Sequence, residues 1–171
     1  MNKYFENIST KTLTENIFKL IDDEWMLITA GTSDHFNTMT ASWGSLGILW
    51  NKPVAICFIR PQRYTFEFAN ANAFYTLSFF PPEHHKILQY CGAHSGKDVD
   101  KIKETGLKPL VTEHGNIYFE QASLVLECQK LYEDDLKPEN FIIPEIAKKV
   151  YAKNDFHRFY IGEIVNCMRK K

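Results

Sequence analysis

Short hydroxyl and amide side chains stand beside one large aromatic in the run Asn37, Thr38, Met39, Thr40, Ala41, Ser42 and Trp43. Such a run can hydrogen-bond the edge of a planar heterocycle, because hydroxyls and amides both donate and accept. It equally suits an ordinary Thr-rich strand, with Ser and Asn in the turns beside it. A second run, Ile59-Arg-Pro-Gln-Arg-Tyr-Thr65, brings the guanidinium groups of Arg60 and Arg63, the Tyr64 phenol and the Thr65 hydroxyl to an expected strand end before a helix start. This set fits a phosphate monoester: arginine offers paired planar donors, and helix-start N–H groups with a hydroxyl complete the anion's shell. The alternative is a solvated loop with two surface arginines, which Pro61 disfavours by rigidifying the chain. A third run, Ala93-His-Ser-Gly-Lys-Asp98, can form a small anion-binding nest in which Ser95 and Gly96 turn amides inward and Lys97 adds a point charge. It lacks the G-x-x-x-x-G-K-[ST] spacing of a P-loop, and by itself it reads as a surface turn.

His84, His85, Cys91 and His94 are close in sequence and could be read as metal ligands. Only Cys91-x-x-His94 has a paired spacing, so the expectation is no metal site. Cys57, Cys128 and Cys167 sit among Ile, Leu and Val and read as small buried hydrophobes, whereas Cys91 is open. All four are expected as reduced thiols, since their wide spacing differs from a secreted disulfide framework.

The elements that must position these groups are mostly strands. Thr12-Leu-Thr-Glu15 has capping-box spacing, and Leu13, Ile17, Leu20 and Ile21 then share a helical face, which predicts a short helix over about 12–22. Strands are expected at 25–30, 37–43 and 54–59, the last ended by Arg60-Pro61. Helix is expected over 64–72, strand over 74–80 up to Pro81-Pro82, helix over 83–90, and a flexible loop over 91–96. Further strands are expected at 117–119, 122–132 and 156–165, with a helix near 144–149. Many strands, few helices and no βαβ alternation argue for a mainly β or α+β domain over a doubly wound sheet.

The chain has 171 residues, 44% of them hydrophobic and 14% aromatic, enough for one domain with a continuous core. Its net charge of -1 gives no polyanion-binding surface, so nucleic acid is not an expected partner. The segment from Met1 to Asp23 has no apolar leader core, and no stretch approaches the roughly 20 apolar residues of a membrane span. A soluble cytoplasmic protein is expected.

Taken together and in order, Asn37-Thr-Met-Thr-Ala-Ser-Trp-Gly44, Asn51-Lys-Pro-Val54, Arg60-Pro-Gln-Arg-Tyr-Thr65 and Ser95-Gly-Lys-Asp-Val-Asp-Lys101 resemble the flavin reductase-like, FMN-binding split-barrel family, in particular its flavoredoxin-type branch. Phe159-Tyr-Ile-Gly-Glu-Ile164 is similar to that family's last barrel strand. The resemblance covers roughly 25–165 and implies a six-stranded Greek-key barrel that dimerises and binds FMN near the subunit interface. It implies that 37–43 line the isoalloxazine and ribityl chain, while Arg60, Arg63, Tyr64, Thr65, Ser95, Gly96 and Lys97 surround the phosphate. His94 then borders the pocket, and Trp43 either stacks near the ring or is a core residue. The implied activity is an oxidoreductase that takes electrons from NADH or NADPH, with no catalytic acid or base of its own. An electron-transfer flavoprotein reduced by a partner protein, and a non-enzymatic flavin- or haem-binding barrel, are the alternatives. No G-x-G-x-x-G follows a strand, so a nicotinamide would bind without a Rossmann unit.

Overall fold

In the computed structural model, which describes residues 3–171, short helices interrupt a succession of strands; Met1 and Asn2, the first residues of the N-terminal segment considered above, lie outside this range. The order is β1 (Phe5–Asn7), α1 (Ile17–Asp22), β2 (Met26–Gly31), β3 (Phe36–Ala41), β4 (Gly44–Leu49), β5 (Lys52–Ile59), α2 (Thr65–Ala71), β6 (Phe74–Phe79), α3 (His85–Ala93), α4 (Lys101–Thr105), β7 (Pro109–Val111), β8 (Ile117–Phe119), β9 (Leu124–Asp135), α5 (Pro144–Val150) and β10 (Arg158–Lys170). Eight strands form one antiparallel sheet in the order β3-β2-β6-β9-β10-β5-β4, with β1 added on β10, and β7 pairs β8 separately. The result is a mainly β split barrel, with two more strands in the main sheet than the six that the resemblance implies.

The long strand β10 joins three neighbours in the sheet. Its first half pairs β5, Arg158 opposite Ile59, and its last residues pair β1, Lys170 opposite Phe5, while β9 follows it throughout. Register shifts at Ile161/Gly162 and Ile164/Asn166 bend it between the two partners. Gly162 is required at the first shift: a Cβ there would lie 2.6 Å from the Tyr75 hydroxyl and 2.8 Å from Cys128 Cβ.

Side-chain alternation divides the apolar residues between two layers. Met26 and Ile28 of β2 join Leu77, Leu126, Cys57 and Tyr160 in one core, while Leu27 and Val125 point into a second one under α3, β7 and β8. Both faces of the central strands are therefore covered, and all of β2 is buried.

Several details differ from the sequence expectations, among them β1, α4 and β7, where no element was expected. Helix α1 begins at Ile17, capped by Asn16, whose Oδ1 accepts from the amides of Phe18 (3.1 Å) and Lys19 (3.3 Å). Thr12 belongs instead to a preceding 3-10 turn, and the Glu15 carboxylate accepts from the Thr14 amide at 2.9 Å and from Arg169 at 2.5 Å, so the capping box does not form. Gly44–Leu49, where no strand was expected, form β4, paired with β5. Helix α3 continues through Cys91 to Ala93, where a loop was expected. Among the described residues no helix is long and apolar enough to cross a membrane.

Candidate functional site

The three runs of polar residues converge on strand β3. This strand ends the sheet path and pairs only with β2, so its outer edge keeps free backbone groups. Its side chains divide by alternation. Asn37 reaches α2, where its Nδ2 donates to Thr65 Oγ1 at 2.8 Å. On the opposite face, Thr40 Oγ1 donates to the Leu88 carbonyl of α3 at 2.5 Å.

At the Asn37 end, a cavity of about 180 Å³ lies between the start of α2 and the loop after α3, lined by Asn37, Arg63, Thr65, Ser95, Gly96 and Lys101. Arg63 is held by the turn in which its amide donates to the Arg60 carbonyl at 3.0 Å. Its Nη2 is buried and has no hydrogen-bond partner. Burial pulls the Arg63 pKa down, yet a guanidinium stays charged in proteins, so a cation with an idle, occluded donor stands in the wall of this space. Lys101, at 5% exposure, lies alongside. Its Nζ donates to the Thr38 carbonyl (2.7 Å) on the free edge of β3 and to the Cys91 carbonyl (2.9 Å) of α3. Burial, reinforced by the positive charge of Arg63, brings its pKa down to about 8, against the upward pull of Cys91. Gly96 seals the loop against β3 so closely that a Cβ would overlap the Asn37 side-chain oxygen.

Toward the other end of β3 the surroundings turn aromatic. A cavity of about 200 Å³ is bounded by Met39 to Trp43 together with Phe58, Arg60, Arg63 and His157. Thr40, Ala41 and Ser42 also border a cavity of about 300 Å³ on the α3 flank, beside Trp25 and Gln89. Trp43 is 47% exposed, its ring 5.0 Å from that of His157, so it is not a core tryptophan. His157 is buried, with Nδ1 2.8 Å from the Tyr151 hydroxyl. Burial, and then Arg60, depress its pKa to about 4 against the opposing pull of Asp155. The ring is therefore neutral near pH 7, held at Nδ1 by its hydrogen bond with the Tyr151 hydroxyl.

Not every expected group points into these cavities through its charge. Arg60 is paired with Asp155 at 2.5 Å, donates to the Val150 carbonyl at 3.2 Å and covers the Tyr151 ring. Lys97 pairs with Glu67 at 2.6 Å on the surface, above the Tyr64 ring, and Tyr64 itself abuts Phe68 edge-on. Ser95 Oγ accepts from the Lys97 amide at 3.2 Å. The histidines considered as ligands diverge: His84 meets Phe80 edge-on, His85 lies tilted against Trp25 and His94 stacks on Tyr90. Among the described residues no group of three or more His, Cys, Asp or Glu could hold a metal. All four cysteines are free and buried, Cys91 included. Lys101 and His157 escaped the residue-by-residue reading. One was hidden in a run of charges, the other at the start of a strand, and neither neighbourhood shows burial in the sequence.

The flavin reductase like domain matches residues 21–171. Among solved structures, the flavoredoxin of Methanosarcina acetivorans is 23% identical, with a TM-score of 0.64 over 84% of this chain and 67% of that one. An FMN-binding domain of a flavin reductases-like enzyme from Shewanella baltica is 14% identical, with a TM-score of 0.69 over 96% and 76%. The NADH:FAD oxidoreductase of Streptomyces globisporus is 16% identical, with a TM-score of 0.65 over 86% and 78%. No curated protein sequence matches the chain.

Proposed function

The chain belongs to the flavin reductase like domain family, and we propose on that premise that it is an FMN-dependent oxidoreductase that draws electrons from NADH or NADPH. The observation that carries the cofactor is the buried, unpartnered Nη2 of Arg63 beside the Lys101 ammonium. An idle buried donor costs free energy, and a phosphate oxygen would remove that cost while balancing two cations. Thr65 and Ser95 add hydroxyls to the same cavity. The residues present thus fit a phosphomonoester, and Gly96 keeps its loop close enough to form the cradle.

In this reading the phosphate contacts fall to Arg63, Thr65, Ser95 and Lys101. Arg60, Tyr64 and Lys97 support the cradle by holding the loops around it. Thr38 to Trp43 would line the flavin, offering edge amides of β3 and the Ser42 hydroxyl. When bound, the flavin supplies the hydride and electron chemistry. The protein's part is to orient it, exclude water along β3 and leave a face open near Trp43. His157, neutral and fixed by Tyr151, borders that space with a polar ring that suits a nicotinamide carboxamide, which can both donate and accept. The resemblance implies a homodimer, and exposed Trp43, Ile48 and Trp50 support forming it on the β4 side.

Anaerobic titration tests the whole reading. FMN added to the purified protein should give a bound flavin spectrum that bleaches with NADH or NADPH. A bound flavin reduced only by a protein donor would instead make the chain an electron carrier. Failure to bind FMN would overturn the cofactor assignment.

A further inference from the structure

Two backbone carbonyls fix the geometry of the buried Lys101 amine. Its Nζ gives one proton to the Thr38 carbonyl at 2.7 Å and a second to the Cys91 carbonyl at 2.9 Å. With Cε in a third tetrahedral direction, only the fourth is left, and it points away from both carbonyls. The residue borders the anion cavity and an adjoining one of about 440 Å³, so the amine meets open space in that direction alone. Loss of one proton therefore breaks neither hydrogen bond and leaves a lone pair where the third proton stood.

The surroundings favour that loss. Burial, opposed by Cys91 of α3 and aided by Arg63 from the turn before α2, brings the Lys101 pKa down to about 8. Asp98 and Asp100 border the larger cavity, Tyr64 and His94 the smaller one, and β3 brings only the uncharged Asn37 and Thr38. Lys97 nearby is the opposite case: its hydrogen bond to Glu67 pushes its pKa up and holds its proton.

The cavity beside the amine is furnished for a phosphate. Thr65 Oγ1 accepts from Asn37 Nδ2 at 2.8 Å and Ser95 Oγ from the Lys97 amide at 3.2 Å, so each hydroxyl keeps its own proton for an anion. A nucleophile fixed beside such a cradle meets the carbonyl carbon of a phosphorylated acyl group at close range, which accelerates attack.

We propose that Lys101 is an acylation site for small acyl phosphates, whose phosphate docks against Arg63, Thr65 and Ser95 with the acyl carbon against Nζ. The Nζ lone pair attacks that carbon and the C–N bond forms. The C–O bond to phosphate breaks, its electron pair leaving on the phosphate, which takes the proton lost from nitrogen. The amide formed has one N–H for two carbonyls, carries no charge and fills the anion cavity. On the flavin reading above, on which this consequence rests, the modification closes the cradle to FMN.

Incubating the purified chain with acetyl phosphate at pH 8, with and without FMN, and mapping the peptides by mass spectrometry tests the site. Lys101 should be acetylated roughly tenfold faster than the more exposed Lys97, because only a neutral amine attacks. Inorganic phosphate and FMN should each protect Lys101, and the acetylated protein should bind FMN roughly 10- to 100-fold more weakly. Arg63→Ala should slow Lys101 about tenfold with acetyl phosphate but no more than about threefold with acetic anhydride, which has no phosphate to dock. Retained labelling by the anhydride also shows that the variant keeps the site folded. Lys101 labelled no faster than Lys97, labelling indifferent to inorganic phosphate, or equal slowing with both reagents overturns the proposal. Protection by inorganic phosphate but not by FMN upholds the acylation site and overturns the flavin reading instead.

Discussion

Asn37 Nδ2 donates to Thr65 Oγ1 at 2.8 Å, binding the outermost strand of the sheet to the first residue of α2. Gly96 sits directly over the same Asn37 amide. One side chain thus fixes the relative placement of all three polar runs. That makes the cradle sensitive to small changes in volume.

Gly96→Ala should force the loop off Asn37, because the added carbon and the amide oxygen cannot occupy one place. A displaced or broken Asn37–Thr65 bond costs about 1 kcal/mol, or a drop of roughly 2–4 °C in Tm for a chain of this size. FMN affinity should fall as well. Differential scanning fluorimetry and a flavin fluorescence titration read the two effects separately.

Arg63→Ala should weaken FMN by roughly 10- to 100-fold, the worth of a charge-assisted hydrogen bond of about 1.5–3 kcal/mol. Riboflavin, which lacks the phosphate, should lose little. An equal loss for both ligands would show that Arg63 is structural. Because Nη2 has no partner within the chain, the substitution breaks no side-chain bond of that atom.

Lys101 should make FMN binding depend on pH. Its pKa of about 8 in the free protein means that the charge available to a phosphate is lost as pH rises through that value. Affinity for FMN should fall between pH 7 and 9, riboflavin binding should stay flat, and Lys101→Met should abolish the slope. The stability of the free protein has the opposite sign. The folded pKa lies below the unfolded one, so the unfolded chain holds more protons above pH 8 and stability rises toward pH 10.

His157 should leave its mark at low pH. Its pKa falls from 6.5 to about 4 on folding, so the unfolded chain binds the extra proton between those values. Stability should therefore decline as pH drops from 6.5 to 4, by up to about 3 kcal/mol, and should be level above 6.5 on this account. His157→Gln should flatten that part of the profile. Urea unfolding across the interval provides the measurement.

The apolar runs at 26–30, 54–59, 74–79 and 124–128 display the strands openly, since every second residue along each enters the main core. Strand β4 was hidden because Gly44 and Gly47 carry no side chain to alternate, and its pairing with β5 is made by backbone alone. The α1 cap was misplaced because Thr12 and Asn16 are both good caps. Asn16 takes the role because its Oδ1 accepts from the amides of both Phe18 and Lys19.

Segment identity was therefore local information. Three runs of donors, their order along the chain and a family likeness point to a split barrel with a flavin, because hydrogen-bonding capacity and hydrophobic period belong to each residue wherever it lies. Which cations serve the cradle was not local. Arg60, Arg63, Lys97 and Lys101 are equivalent charges in the sequence, and only folding separates them: Arg60 goes to Asp155 and Lys97 to Glu67, while Arg63 and Lys101 are left facing the cavity. Burial and the nearness of an opposite charge decide a cation's role, and both come from residues far away in the chain.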